Sequence, residues 1–317
     1  MNIRKLTASM AIFLLASGLA LASPATATYS GSAGRIAYQG FDDSLGRLEL
    51  FTVARDGSDS KQLTFFDADI ETPDWSPSGS RIAFGSDLAG SIHVFAIDAD
   101  NGALTQLTAG DGLETTPVWS PDGTHLAIDR EEAGLPNGIY LLNVATGAMT
   151  PVTENPYGMF DTEPSYSPDG NQLAFVRVRR FNPRQGGLTA VFVVNTDGSG
   201  LRQLTPWGMN AGAPDWSPDG SLIAFNDADD RFKTASIFVI RPNGSGLEKL
   251  THEANAGAFR PCWSPAGDKI LFTRLPWGGH GGAFNFDLYA MNPDGSDATR
   301  VTNTAGFENQ GDWGTHQ

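Results

Sequence analysis

Short apolar runs of strand length recur along the chain, separated by polar turns. Arg81–Phe84, His125–Ile128, Gln172–Phe175, Leu222–Phe225 and Lys269–Phe272 form one series. A second series follows each member of the first: Ile92–Ile97, Ile139–Val144, Val191–Thr196, Ile237–Ile240 and Leu288–Met291. Apolar and β-branched runs this short, bounded by Gly, Asn and Asp, predict strands rather than helices. Then comes a tight-turn pair: Asn101-Gly102, Thr146-Gly147, Asp197-Gly198, Asn243-Gly244 or Asp294-Gly295. Most are hairpin pairs, because Asn and Gly tolerate positive φ. A short run closes each unit: Thr105–Thr108, Thr150–Thr153, Arg202–Thr205, Glu248–Thr251 and Thr299–Thr302.

An aromatic-Ser-Pro-x-Gly motif precedes each unit, anchored on Trp75, Trp119, Tyr166, Trp216 and Trp263 at spacings of 44, 47, 50 and 47 residues. Trp313 follows 50 residues later, preceded by Asp312 as Trp75 is by Asp74. Counting the segment that carries the anchor, each repeat holds four strands, A to D. A four-stranded meander of this period is a propeller blade. Near the N-terminus, Arg35–Tyr38, Leu48–Val53 and Lys61–Thr64 supply strands B, C and D without an A, while Phe307–Trp313 supplies an A alone. The expected fold is therefore all-β: a six-bladed β-propeller of four-stranded antiparallel blades. The C-terminal strand A joins N-terminal strands B–D and closes the ring, protecting edges that would otherwise stay open. The aromatic anchors are expected to pack between blades.

These repeats resemble the TolB-type β-propeller repeat, a bacterial relative of the WD-repeat blade. The resemblance rests on Trp119-Ser120-Pro121-Asp122-Gly123 and Trp216-Ser217-Pro218-Asp219-Gly220, on the "IAF" strand and on the terminal "LT". It covers the chain from residue 28 onward and implies a propeller without specifying a function. The family's namesake carries a further N-terminal domain and works in the bacterial periplasm. Here strand B is expected to begin about where an export signal ends, leaving no such domain. Similar blades accompany prolyl oligopeptidases and form oligogalacturonate lyases. The chain has no Gly-x-Ser-x-Gly elbow, which argues against a peptidase.

Residues 1–27 read as a signal peptide: Arg4 and Lys5, then the apolar run Met10–Ala22, then small residues. Cleavage is expected after Ala27, with Ala22 as the second site. This leaves 28–317 as the mature propeller, exported to the periplasm or beyond. The formal charge of −15 argues against nucleic acid and anionic lipid as partners. The run Met10–Ala22 is too short to span a bilayer and no other long apolar stretch occurs, so no membrane insertion is expected, and a monomer is expected. Cys262, the single cysteine, is expected to be buried in an inner strand.

In a meander, the B–C and D–A connections share one face, and here they vary in length and composition. Long B–C loops are expected at Arg177–Thr189 and Arg274–Asp287. Acids recur in the D–A connections, namely Asp69, Glu71, Glu114, Asp161, Glu163 and Glu308, and should ring the mouth of the central channel. They suit either a solvated rim or a site for a cation or basic peptide. The blades lacking an acid carry Ala211-Gly212 and Arg260, an asymmetry that fits an asymmetric ligand. Arg177, Arg179, Arg180 and Arg184 offer either pairing with nearby acids or an anion contact. The candidate ligand-binding set is Glu71, Glu114, Asp161, Glu308, Arg179, Arg180 and Arg260. His252, Glu253 and His280 are the weaker metal candidates, in a spacing that matches no known ligand signature. The expectation is a binding or scaffold propeller for a protein, peptide or small polar ligand on the B–C/D–A face. It requires no cofactor but has room for a divalent cation. The alternative is a metal-dependent lyase or hydrolase acting outside the cytoplasm.

Overall fold

The computed structural model describes residues 33–134, 137–155, 158–182, 186–228, 235–252, 256–276, 286–302 and 307–315. The side chains of 180–187 and 228 are likewise not described. The expected signal peptide lies outside the described residues. What is described is six four-stranded antiparallel sheets in meander order. Each blade is named below by its anchor. The inner strands are Ile70–Trp75, Leu113–Trp119, Met159–Tyr166, Gly212–Trp216, Ala256–Trp263 and Glu308–Thr315.

The ring closes as the split repeat requires. Glu308–Thr315 pairs antiparallel with Ala33–Asp42, with Trp313 opposite Ile36 and Glu308 opposite Gly40. Arg47–Val53 and Lys61–Gln62 complete that blade. Its two faces are both packed. Ile36, Tyr38 and Val53 meet Leu271 and Leu288 of the Trp263 blade. Ala37 and Leu50 meet Trp75, Ile82 and Phe84 of the Trp75 blade.

Each repeated motif has a local physical cause. In the Ser-Pro-x-Gly turns the serine hydroxyl accepts the amide five residues on, as Ser120 Oγ does from His125 at 2.9 Å. The turn glycines take left-handed φ, 70° at Gly123. The threonine that ends each strand D, in Leu-Thr or Val-Thr, accepts a strand-C amide. Thr64 takes that of Leu50, Thr108 that of Val94, Thr153 that of Ile139, Thr205 that of Val191, Thr251 that of Ile237 and Thr302 that of Leu288, all at 2.9–3.0 Å. The "IAF" phenylalanines Phe84, Phe175, Phe225 and Phe272 are fully buried. Each lies 5.7–6.0 Å from the aromatic ring opposite on strand C.

One expectation needs correcting. Arg177–Thr189 is not a loop from its start. Strands Gln172–Asn182 and Gly186–Asn195 run on as a long hairpin, pairing Arg177 with Ala190 and Arg179 with Leu188. The alternation Val176-Arg177-Val178-Arg179 is a period-two pattern, and such a pattern extends a strand. The Arg274 strand likewise continues to Pro276, beyond which 277–285 lie outside the described residues.

The closing strand carries a test of the ring. Deleting Phe307–Gln317 removes the neighbour of Ala33–Asp42 together with Trp313. Burial of one large aromatic contributes roughly 1.5–3 kcal/mol before any cavity cost. At about 2–4 °C per kcal/mol for large domains, that loss alone should lower the melting temperature by roughly 3–12 °C. Unchanged thermal unfolding would contradict the shared blade.

Candidate binding site in the central channel

The six inner strands face the channel with an edge that no further strand covers, so their channel-side amides need other acceptors. Neighbouring blades provide them. The carboxylate preceding one anchor accepts the backbone amide of the next anchor. Asp312 takes Trp75 at 2.6 Å, Asp74 takes Trp119 at 2.7 Å and Asp215 takes Trp263 at 2.6 Å. Ser165 fills the same place for Trp216 at 3.4 Å. Val118 has no oxygen to offer Tyr166. That seam is bridged instead by Asp129, which accepts from Thr162 Oγ1 at 3.3 Å and from Thr115 Oγ1 at 2.7 Å.

Three residues before each anchor the inner strand bulges. Thr72, Thr116, Glu163, Ala213, Arg260 and Gln310 all adopt φ between 47° and 61°. Left-handed φ in residues with a Cβ is held only where the surroundings over-determine it. Here the next blade's bulge amide is again the partner. Gln310 Oε1 accepts from Thr72 and Glu163 Oε2 from Ala213, both at 2.6 Å. Asn226 Oδ1 accepts from Arg260 at 3.0 Å.

The candidate residues divide according to this frame. Most of the acids are not a solvated rim. Glu114 is wholly buried, held by His93 Nδ1 at 2.9 Å and Arg130 Nε at 3.1 Å. Asp161 is buried against Arg177, which donates from Nε and Nη2 at 2.6 and 2.7 Å. Burial raises the Asp161 carboxyl, and Arg177 pulls it back. The Arg177 guanidinium also lies over Phe175 and Phe192. Glu308 is buried on the closing strand, its amide donating to Phe286 O. Arg179 is stacked 3.9 Å from the Trp207 ring centre. The Arg180 side chain, Arg184, Glu253 and His280 lie outside the described residues, and His252 is exposed at the edge of that gap. Cys262 is buried as expected, its thiol 3.5 Å from Asp312 Oδ1. Among the described residues no three His, Cys, Asp or Glu side chains cluster as a metal site.

Two candidates remain uncommitted. Glu71 and the Arg260 side chain make no hydrogen bond and no ion pair among the described residues. Both keep partial contact with solvent. Arg260 Nη1 is shut away from solvent and has no acceptor among the described residues. Burial lowers the Arg260 pKa to about 10, while Glu163 and Glu71 pull it back up. The group is therefore charged at neutral pH. Glu71 and Glu163 belong to blades two places away on either side, so the guanidinium reaches toward the channel axis. Burial, then the nearby Asp69, raises the Glu71 carboxyl. Glu163, buried beside Asp129, is pushed up to about 8, mainly by burial, and Asp129 to about 6, also by burial. Sequence reasoning passed over Asp129. Its signal was a polar residue directly after the "IAF"-type segment, where Gln39, Asn226 and Thr273 also stand. Gln39 donates to Ile70 O at 2.6 Å and Thr273 to Asn309 Oδ1 at 2.8 Å, so this position stitches consecutive blades.

A surface cleft of about 840 Å³ lies elsewhere, beside the turns at the closure seam. Its cations are already paired, Arg35 and Lys61 with Asp59 and Arg55 with Asp268.

The fold and this channel define a six-bladed propeller with a strand-shared closure and a charged axial pore. A family model described as the TolB beta propeller domain matches residues 11–179 and 137–310. The chain belongs to the TolB β-propeller family. No curated protein sequence matches it. The structure of TolB from Acinetobacter baumannii is similar, with 22% identity and a TM-score of 0.72 over 89% of this chain and 67% of that one. A putative TolB from Agrobacterium tumefaciens aligns with 22% identity and a TM-score of 0.64, over 87% of this chain and 91% of that one. An oligogalacturonate lyase in complex with manganese gives 18% identity and a TM-score of 0.56, over 87% of this chain and 75% of that one. At these identities the likeness is one of fold.

The Glu163 carboxyl yields a pH test. Its folded pKa of about 8 stands above its ordinary 4.5, so folding favours the protonated form. That contribution is complete below pH 4.5 and is lost as pH rises to about 8. Glu163→Gln keeps an acceptor for Ala213 and cannot ionise. The variant should therefore gain stability relative to wild type between pH 5 and pH 8, read as a widening difference in melting temperature. Parallel pH profiles would contradict a buried, neutral Glu163.

Proposed function

We propose that this chain is an exported binding propeller that holds a protein or peptide partner on the face formed by the B–C and D–A connections, at the mouth of the channel. The observation that carries the reading is the pair of uncommitted charges there, Glu71 and Arg260, in a channel whose other described carboxylates mostly serve to join blades. An uncommitted, half-buried charge of each sign has no structural task and suits recognition. The Arg179–Trp207 stack adds an aromatic surface on the same face. Family membership supports a rigid scaffold carrying variable loops. Residence in the periplasm or outside the cell rests on the export pattern of residues 1–27. Among the described residues no helix is long and apolar enough to cross a membrane. No observation here favours the metal-dependent lyase reading, and no cofactor enters the proposal.

Cysteine labelling tests the face. Cys262 is buried, so a bulky maleimide goes to an introduced thiol. Labelling Asp111→Cys, exposed on a D–A connection, should abolish capture of a partner from an envelope extract. Labelling Asn101→Cys, exposed on a C–D turn, should leave capture intact. Partner binding should also weaken with salt, since exposed charges are screened over about 8–10 Å. The reverse labelling pattern would assign recognition to the turn face and sink the proposal.

A further inference from the structure

Large apolar side chains left in water on a folded surface mark contact sites where they gather. On the face formed by the B–C and D–A connections they gather on one arc. Leu45 stands at the B–C tip of the closing blade, and Phe65 on the connection from that blade to the Trp75 blade. Leu88 stands at the B–C tip of the Trp75 blade, and Leu113 where the next connection enters the Trp119 blade. All four are exposed, Phe65 most of all, at 68%. Hydrogen bonds and ion pairs hold these connections side by side. Arg47, at the foot of the Leu45 tip, reaches Asp67 at 3.4 Å and Asp69 at 3.6 Å. The Asp69 amide donates to Asp87 Oδ1 at 3.1 Å, and the Glu114 amide to Ile92 O at 3.2 Å.

The blade repeat does not call for Phe65. It follows the threonine that ends strand D, where the other blades carry Ala109, Glu154, Pro206, His252 and Asn303. Yet its backbone is clamped on both sides. Thr64 is buried, accepts the Leu50 amide at 2.9 Å and donates to Glu49. The Phe66 amide donates to Glu49 Oε1 at 2.8 Å, and Phe66 itself packs against the core beside Trp75. A large ring held in water by a fixed backbone can be covered without ordering the chain that carries it. An aromatic anchor contributes most under that condition.

The charges around these side chains give the sign of the partner. Residues 41–47, 64–70, 86–92 and 108–113 hold six aspartates and one cation, Arg47. Asp43, Asp67, Asp87 and Asp111 are exposed. We propose that this arc is a docking surface for a basic, amphipathic segment of a partner protein. The apolar side chains of that segment cover Phe65 and its leucine neighbours, while its Lys or Arg side chains meet the aspartates. A second copy of this chain would bring the same acidic arc to a two-fold contact, where like charges oppose it. The inference rests on the reading that recognition occurs on this face, and it gives the partner its chemistry.

Fluorescence anisotropy on the chain from residue 28 onward tests it, with a short labelled peptide that alternates Lys and Phe. One control peptide carries Glu in place of Lys, and the other Ser in place of Phe. The Lys–Phe peptide should bind at least about tenfold more tightly than either control. Phe65→Ser should weaken that binding by about tenfold and leave the melting temperature unchanged, since the ring stands mostly in water. Asp43→Asn combined with Asp67→Asn should weaken it and reduce its salt dependence. Leu201→Ser, exposed on a C–D turn, should leave binding as it is. Equal binding of the Lys–Phe and Lys–Ser peptides, or full binding to Phe65→Ser, overturns the proposal. So does dimerisation of the wild type that Phe65→Ser abolishes, which would give the patch to a second copy. If the peptide preference is absent while labelling at Asp111→Cys still blocks capture, the docking arc fails and the binding face survives. If the preference depends on Phe65 while that labelling leaves capture intact, the arc stands and the reading of the captured partner fails.

Discussion

A propeller places six sheet edges around one axis, and the amides on those edges must find acceptors in a space too narrow for another strand. That requirement organises the centre of this protein. Asp312, Asp74 and Asp215 each reach from one blade to the anchor amide of the next. The bulge residues repeat the device one turn nearer the mouth. An unsatisfied buried amide costs about 1–3 kcal/mol, so each of these bonds joins one blade to its successor as well as satisfying an edge. The closing blade takes part on the same terms, through Asp312 and Gln310, and covalent continuity between the chain ends is not needed.

This frame separates structural charge from available charge. Glu114 and Asp161 look functional in the sequence because they recur just ahead of the anchors. In the fold each is buried with an arginine, in the first case with a histidine as well. Buried pairs of this kind are poor ligands for anything else, since breaking them strands a charge. Glu71 and Arg260 sit one or two residues closer to their anchors, past the point where such partners reach. The recognition chemistry of the channel is thus the remainder left after the edges have been satisfied.

The blade pattern was legible because it is local. Strand-length runs, Ser-Pro-x-Gly turns and "LT" endings each answer to a hydrogen bond within one blade, so their residues keep fixed spacing. The split closure could be read by counting strands. The bulge ring could not, for no glycine or asparagine marks it. Thr72, Thr116, Glu163, Ala213, Arg260 and Gln310 are six positions with left-handed φ that turn chemistry would not choose. Their conformation is set by bonds between blades, which sequence spacing alone does not display. The same holds for Asp129, whose partners Thr115 and Thr162 lie on two different blades. Burial of the acids was hidden for a related reason: a carboxylate beside an inner strand reads alike whether it faces water or an arginine from the next strand.

The account stands on the inter-blade bonds to the anchor amides, and amide hydrogen exchange at single-residue resolution observes them directly. In Asp74→Ala the Trp119 amide loses its acceptor while that of Trp263 keeps Asp215. Exchange at Trp119 should accelerate by about tenfold or more relative to wild type, as expected for a hydrogen bond of roughly 1–3 kcal/mol to a buried group. Exchange at Trp263 should change only as far as global stability changes. Equal exchange at Trp119 in wild type and variant would show that the carboxylate does not hold that edge, and would contradict the division of the channel's charges drawn from it.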